Sequence, residues 1–343
     1  METNVVMPTS GSHPTAKGDP LVSFVIPVFN CERFIARCLL AIRTPMCPEG
    51  RCEVVIVDNG STDGTQAIMK RLGFDFEVVP RVNVSVLRNL GVKRASGRYV
   101  AFVDSDVEVS PGWLEAGLAA LEDPEVVVTG CFPGVPDEAT WIQRTWDLHQ
   151  RCRRPAVEQA PVPWLSTMNL LVRRADFLEV GGFNEALESA EDVDLCFRLK
   201  ERGTLLYNPA MQAVHWGEAS DLRTFWKKEV WRGKGNLKGM FAHGLRMDEV
   251  PSVGFPLYVM TLLVICGTAL FTDLNRGQLA LLPFCLLLLG LPATYLAAKT
   301  AWSARRLKET PKLFLLYLVY GFARAYALMK GDLFARQRGD ERR

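Results

Sequence analysis

RYVAFVDSD, residues 98–106, is the stretch on which the reading of this chain turns: an apolar and aromatic run that stops on two aspartates, Asp104 and Asp106, one residue apart. A run without polar alternation suits a strand buried on both faces, as in a parallel sheet. The same form recurs on either side. VSFVIP (22–27) is followed by a helical stretch at 31–43, and CEVVIVD (52–58) by TDGTQAIMKRLG (62–73). After RYVAFVD (98–104) come a helix pattern at 111–122 and a further strand, VVVTG, at 126–130. Strands alternating with helices imply right-handed crossovers and an α/β sheet covered on both faces. Ligands of such sheets sit outside the carboxyl ends of the strands, so the polar residues directly after the apolar runs are the ones to weigh.

Asp104 and Asp106 can share a hard divalent cation, Mg2+ or Mn2+, which takes oxygen ligands and keeps positions open for phosphate oxygens. A solvated loop accounts for such a pair equally well. In VIVDNGSTDGT (55–65), Asp58 or Asn59 could accept a hydrogen bond from a base imide; alternatively the segment is only a βα turn, with Gly60 and Gly64 for the bend and Thr62 or Asp63 as helix cap. The glycine spacing and lysine of a Walker A loop are absent. Glu191-Asp192-Val193-Asp194 opens EDVDLCFRLKERG (191–203) after a flexible GGFNE turn (181–185). The helix dipole favours acids in a first turn, which is reason enough for them; it also lowers a carboxylate's pKa, which would keep one of them ionised as a general base. His215, in QAVHWG, either packs beside Trp216, completes a metal site with Asp104 and Asp106, or meets a phosphate.

Outside this region the composition is uneven. Residues 1–20 are polar, rich in Pro, Gly, Ser and Thr, and read as a flexible tail. Residues 250–272 and 277–298 carry no charge, and about 20 helical residues cross a hydrocarbon core of about 30 Å, so spans are expected over 253–272 and 278–298. A third apolar run, 313–329, contains Arg324, which is costly at mid-bilayer; this helix is expected at the interface or against the other helices. The 299–312 linker carries Lys299, Arg305, Arg306, Lys308 and Lys312, and the positive-inside rule makes it cytoplasmic. The organisation expected is thus a tail (1–20), a soluble domain (21–250), a membrane region (251–330) and a basic tail (331–343). Before the first span, DLRTFWKKEVWRGKGN (221–236) interleaves cations with aromatics, which suits contact with membrane lipids; Arg232 or Lys234 could equally reach a diphosphate. Lys and Arg number 40 against 38 Asp and Glu, so no nucleic-acid partner is indicated. The nine cysteines are scattered, with neither a zinc knuckle nor a disulfide framework, as in a reduced, cytoplasm-facing protein.

In order and spacing, VSFVIPVFN, VIVDNGSTDGT, LRNLGVKRASGRYVAFVDSD, GGFNE and EDVDLCFRLKERG resemble a family 2 glycosyltransferase over about residues 21–235. The resemblance implies a GT-A fold, that is, a Rossmann-like, mostly parallel sheet with helices on both faces, here with C-terminal transmembrane helices. It implies an inverting enzyme that moves a sugar from a nucleotide-diphosphate sugar donor with Mg2+ or Mn2+. Carried onto this sequence, Pro27 and Phe29 would line the base pocket and Asp58 and Asn59 would read the base. Asn59 stands where Asp is usual, which leaves the base open. Arg88 would face the nucleotide, Asp104 would contact ribose and metal, Asp106 would bind the metal, Asp192 would be the base with Glu191 beside it, and His215 would meet metal or diphosphate. The Q-x-x-R-W pattern of processive members is absent.

The function expected is a single sugar addition to a lipid-linked or glycan acceptor, in polysaccharide or glycolipid biosynthesis. The enzyme would be a multi-pass protein of the cell (inner) membrane with its catalytic domain cytoplasmic. Three alternatives differ in chemistry: a polyprenyl-phosphate glycosyltransferase that needs no base, a non-catalytic nucleotide-sugar-binding membrane protein, and a nucleotidyltransferase. The last would carry a Gly-rich basic loop after the first strand, where this chain has VFNCERF.

Overall fold

The structure, a computed structural model, describes residues 20–43, 51–152, 154–155, 159–187, 189–233, 250–275 and 282–335. Most of the N-terminal tail, Cys47, Lys234, the start of the expected second span and the end of the basic tail lie outside them. The first half runs β1 (Val22–Val28), α1 (Ile35–Arg43), β2 (Cys52–Asp58), α2 (Thr65–Arg71), β3 (Glu77–Val78), α3 (Val84–Arg94), β4 (Tyr99–Val103), β5 (Val107–Val109) and α4 (Trp113–Ala120). It continues through β6 (Val126–Gly130), α5 (Trp141–Arg151), β7 (Ala160–Pro161), β8 (Asn169–Arg173), α6 (Arg174–Glu179), α7 (Glu191–Leu199), β9 (Thr204–Tyr207), β10 (Ala213–His215) and α8 (Leu222–Gly233). Three long helices close the chain: α9 (Val250–Asn275), α10 (Leu282–Ser303) and α11 (Thr310–Ala335).

Eight strands form one sheet in the order β3-β2-β1-β4-β8-β6-β9-β7. β1 pairs in parallel with β2 and β4, β2 with β3, and β6 with β9, while β8 runs antiparallel to both β4 and β6. The apolar runs are therefore the central strands, and β1 and β4 are buried at every position. β5 and β10 make a separate antiparallel ribbon with Val107 opposite His215. That ribbon is the device that brings Asp106, just before β5, against His215, 109 residues later in sequence. Local chemistry starts the helices as expected of their sequences. Asn83 caps α3 by accepting from the Val86 N–H, and Thr140 with Gln143 forms a reciprocal capping box on α5.

The C-terminal helices do not hang free of the α/β domain. A second core joins Ile142 and Trp146 of α5 and Phe225 of α8 to Phe255 and Val259 of α9, Ala293, Ala297 and Ala301 of α10, and Leu313, Leu316 and Tyr317 of α11. The alanines repeat every four residues, which lets α10 approach its neighbours closely. Among the described residues, two stretches are long and apolar enough to cross a membrane by length and composition, Gly254–Thr272 and Leu307–Lys330. α10 exposes Phe284, Leu286, Leu287 and Tyr295, an apolar face that water does not favour. Arg324 of α11 points into the protein, as the site below shows. Among the described cysteines, Cys52 is disulfide-bonded, whereas Cys31, Cys38, Cys131, Cys152 and Cys196 are free thiols. A bridge at Cys52 departs from the reduced state expected of the cysteines, although it makes no framework among the described residues.

Candidate active site

The loops after β1 and β2 are stitched together by short polar side chains. Asn30, in the left-handed region at φ 46°, accepts from the Thr62 N–H, while Ser61 Oγ accepts from the Asn30 N–H. Asp58, fully buried, accepts from the Ser61 N–H and hydroxyl and from Gln66 Nε2 at 2.7 Å. Asn59 meets the backbone of Val82 twice at 2.9 Å, as donor and as acceptor. Both side chains therefore build the turn that the sequence offered as one of two readings. Pro27 is buried within β1; Phe29 is exposed and carries the Arg81 guanidinium 4.9 Å from its ring centroid.

Arg88 on α3 is 3% exposed, enclosed rather than open to a ligand, and its guanidinium spans two carboxylates: Asp104 at 2.7 Å and Glu191 at 2.8 Å. The end of β4 and the start of α7 are thereby tied to one cation. The GGFNE turn makes this possible. Gly181 and Gly182 take φ of 82° and 71°, a backbone open to glycine at no steric cost. The amide of Asn89, next to Arg88, exchanges hydrogen bonds with both backbone groups of Phe183 at 2.9 Å. Asp192 follows Glu191 and is half-buried. Burial, then the charge of Glu191, push its carboxyl up to about 7 against the pull of Arg88. The lowered pKa expected from the helix dipole is thus overridden, because dehydration and a neighbouring acid outweigh a partial charge.

Around Asp106 the side chains form a chain of alternating charge. Asp106 Oδ2 lies 3.2 Å from His215 Nε2, and His215 Nδ1 lies 3.6 Å from Glu218. Glu218 faces Arg232 at 3.5 Å, Arg232 pairs with the fully buried Glu229 at 2.6 Å, and Glu229 meets Arg324 of α11 at 2.9 Å. Burial alone would lower the His215 pKa, but Asp106 and Glu218 push it up to about 9. Burial alone would raise Glu218; the hydrogen bond from His215 and the charge of Arg232 hold it well below the usual carboxylate range. Gly217 lies directly against the Asp106 carboxylate, in space that any Cβ would fill. Trp216 donates its indole N–H to Glu108 at 2.7 Å and stacks under Arg37.

Asp106 and His215 fit a divalent cation. An anionic oxygen faces a ring that Asp106 and Glu218 hold protonated, so a cation bound there would displace the proton from Nε2; the carboxylate behind the ring orients it, an arrangement common behind metal-bound histidines. Among the described residues no group of three His, Cys, Asp or Glu side chains could hold a metal. The remaining positions would fall to phosphate oxygens and water, the usual way Mg2+ is held. Asp104, expected in the same set, is engaged by Arg88. Arg232, expected at a diphosphate, is held between Glu218 and Glu229. Gly217, Glu218 and Glu229 were not singled out in the sequence; a glycine and two acids in loop and helix have no spacing that marks them, and only the packing relates them.

The profile described as Glycosyl transferase family 2 matches residues 23–181. The chain is 32% identical over 234 residues to N-acetylglucosaminyl-diphospho-decaprenol L-rhamnosyltransferase of Mycobacterium tuberculosis, covering 54% of this chain and 71% of that protein. This chain belongs to glycosyl transferase family 2. As a family 2 glycosyltransferase it is also 28% identical over 232 residues to glycosyltransferase AglE of Haloferax volcanii, covering 64% of this chain and 74% of the relative. Of pre-mycofactocin glycosyltransferase of Mycobacterium tuberculosis, to which it is 30% identical over 228 residues, the chain spans 46% of the length. Its fold is that of mannosyltransferase PcManGT from Pyrobaculum calidifontis, solved with GDP-Man and Mn2+: TM-score 0.58 at 18% identity, covering 93% of this glycosyltransferase and 90% of PcManGT.

Proposed function

We propose that this glycosyltransferase transfers one sugar, with inversion, from a nucleoside-diphosphate sugar to a lipid-linked acceptor at the cytoplasmic face of a membrane. The observation that carries the reading is Arg88, which gathers the first carboxylate of the D-S-D pair and the Glu191–Asp192 helix start around one point beyond the strand ends. The acceptor oxygen attacks the anomeric carbon as the bond to the nucleoside diphosphate breaks. Asp192 takes the proton of an acceptor hydroxyl; an apparent pKa of about 7 suits a base working near neutrality. Glu191 is the partner of Arg88, so its part is to fix α7. Asp106 and His215 would hold Mg2+ or Mn2+, which supplies charge neutralisation for the departing diphosphate. Phe29 would stack on the base once Arg81 makes room, or with Arg81 on its other face. The lipid-linked acceptor is supported by the core shared between catalytic domain and apolar helices, and the cytoplasmic face by the cations of 299–312.

The test is a panel of nucleotide-sugars incubated with the full-length protein, Mn2+ and native membrane lipids, with products read by mass spectrometry. A lipid product larger by one sugar is expected. Tight nucleotide binding with no turnover of any donor would instead favour a nucleotide-sugar-binding scaffold.

A further inference from the structure

α10 ends in a turn that sequence alone does not favour. The Arg306 N–H returns to the Ala301 carbonyl and the Arg305 N–H to the Trp302 carbonyl, with Arg305 in the left-handed region at φ 54°. This is the Schellman pattern, whose left-handed position is usually glycine because a Cβ is strained there. The turn carries the chain into the short 3-10 turn Leu307–Glu309 and α11, and it sets Arg306 opposite α5.

Between them lies a cleft in two adjoining parts, of about 580 and 260 Å3, sharing Arg144, Leu148 and Arg306 in their walls. Arg151 lines the larger part, and Trp141 and Lys312 the smaller. Three acids also line it. Asp147 is committed to Arg151 at 2.6 Å and to Arg154 at 3.3 Å, and Glu309 to Lys312 at 2.9 Å. Asp137 gives its backbone carbonyl to Arg144. Arg144 and Arg306, both exposed, make no ion pair among the described residues. The cleft stands where the catalytic domain meets the ends of two long apolar helices, and Trp302, 75% exposed, directly precedes Ser303 of its wall. Planar guanidinium groups recognise phosphate with paired donors, and exposed tryptophan is favoured at the level of lipid headgroups.

We propose that this cleft binds the phosphate headgroup of an anionic membrane lipid, with Arg144 and Arg306 as its principal contacts. The inference rests on reading the C-terminal helices as membrane-embedded. The competing account is diffuse attraction by every cation of the linker, and it predicts a different pattern. Arg305 and Lys308 do not line the cleft, so Arg305→Gly, which also suits the left-handed backbone, and Lys308→Gln should leave lipid selectivity intact.

The experiment uses delipidated full-length protein in neutral detergent. Native mass spectrometry and melting temperature follow added phosphatidylglycerol, phosphatidylcholine, a short polyprenyl phosphate or inorganic phosphate. The wild type should retain phosphatidylglycerol or polyprenyl phosphate over phosphatidylcholine, with inorganic phosphate ineffective. Whichever of the two anionic lipids wins tells whether the cleft serves bulk lipid or an acceptor. Arg144→Gln and Arg306→Gln should each cut the selectivity about fivefold. Equal retention of phosphatidylcholine overturns the proposal, as does a loss equal in the Arg305 and Lys308 variants, or competition by inorganic phosphate. Failure of the protein to enter vesicles of any composition would overturn the membrane reading itself.

Discussion

At the scale of single residues, the proposed base Asp192 and Gly217, which lies against the proposed metal ligand Asp106, can each be tested by one substitution. If Asp192 is the base, its carboxylate form is the active one, and the group gains that form as pH rises through about 7. With a hydroxyl acceptor, kcat/KM should therefore climb from pH 6 to 8 and level off, and Asp192→Asn should lower it by about 10²- to 10⁴-fold. With a phosphate acceptor, already ionised, the same variant should keep much of its activity and the profile should lose that rise. Gly217→Ala puts a methyl group where the Asp106 carboxylate lies. Its expected signature is a loss of Mn2+ affinity, measured by the paramagnetic resonance of free Mn2+, with the circular dichroism spectrum preserved. The sequence made Asp104, Asp106, Asp192 and His215 legible because each follows an apolar run or opens a helix. It did not disclose that Arg88 would be enclosed by acids, since the pairing joins positions 16 and 103 residues apart.

At the scale of elements, the strand–helix alternation was read correctly because buried central strands leave an unbroken apolar signature. The β5–β10 ribbon was not, being three residues per strand and held by a partner 100 residues away. α3 and α5 also escaped notice: α3 interleaves apolar and polar residues without a clear stripe, and α5 is known by its capping box more than by its composition. The docking of the GGFNE turn on α3 makes its own prediction. Asn89→Ala removes both hydrogen bonds to Phe183 and should loosen the start of α7. A loss of about 1–3 kcal/mol of stability is expected for the polar groups left unpaired. Hydrogen exchange should rise over 181–195 while the β1–β4 core stays protected.

For the molecule as a whole, the joint between catalytic domain and C-terminal helices is ionic at its centre. Arg324→Met leaves Glu229, fully buried, with Arg232 alone, and draws Arg232 away from Glu218. Breaking such a pair costs about 3 kcal/mol or more. A lower melting temperature is expected in detergent, and Arg324→Lys should recover most of it. In the sequence Arg324 stood out only as an expense within an apolar run, and its partner could not be guessed, because α8 reads as a surface helix until α11 covers it.

That same arginine bears on how the chain is made. A helix bearing an unpaired guanidinium is poorly received by lipid, yet α8 leaves the ribosome some 90 residues ahead of it. The acid that neutralises it is therefore already synthesised when α11 emerges, so a domain folded by then would offer the last helix its counter-ion. Expressed by itself, the C-terminal third should be a substrate for membrane quality-control proteases, and co-expression of the N-terminal part should spare it.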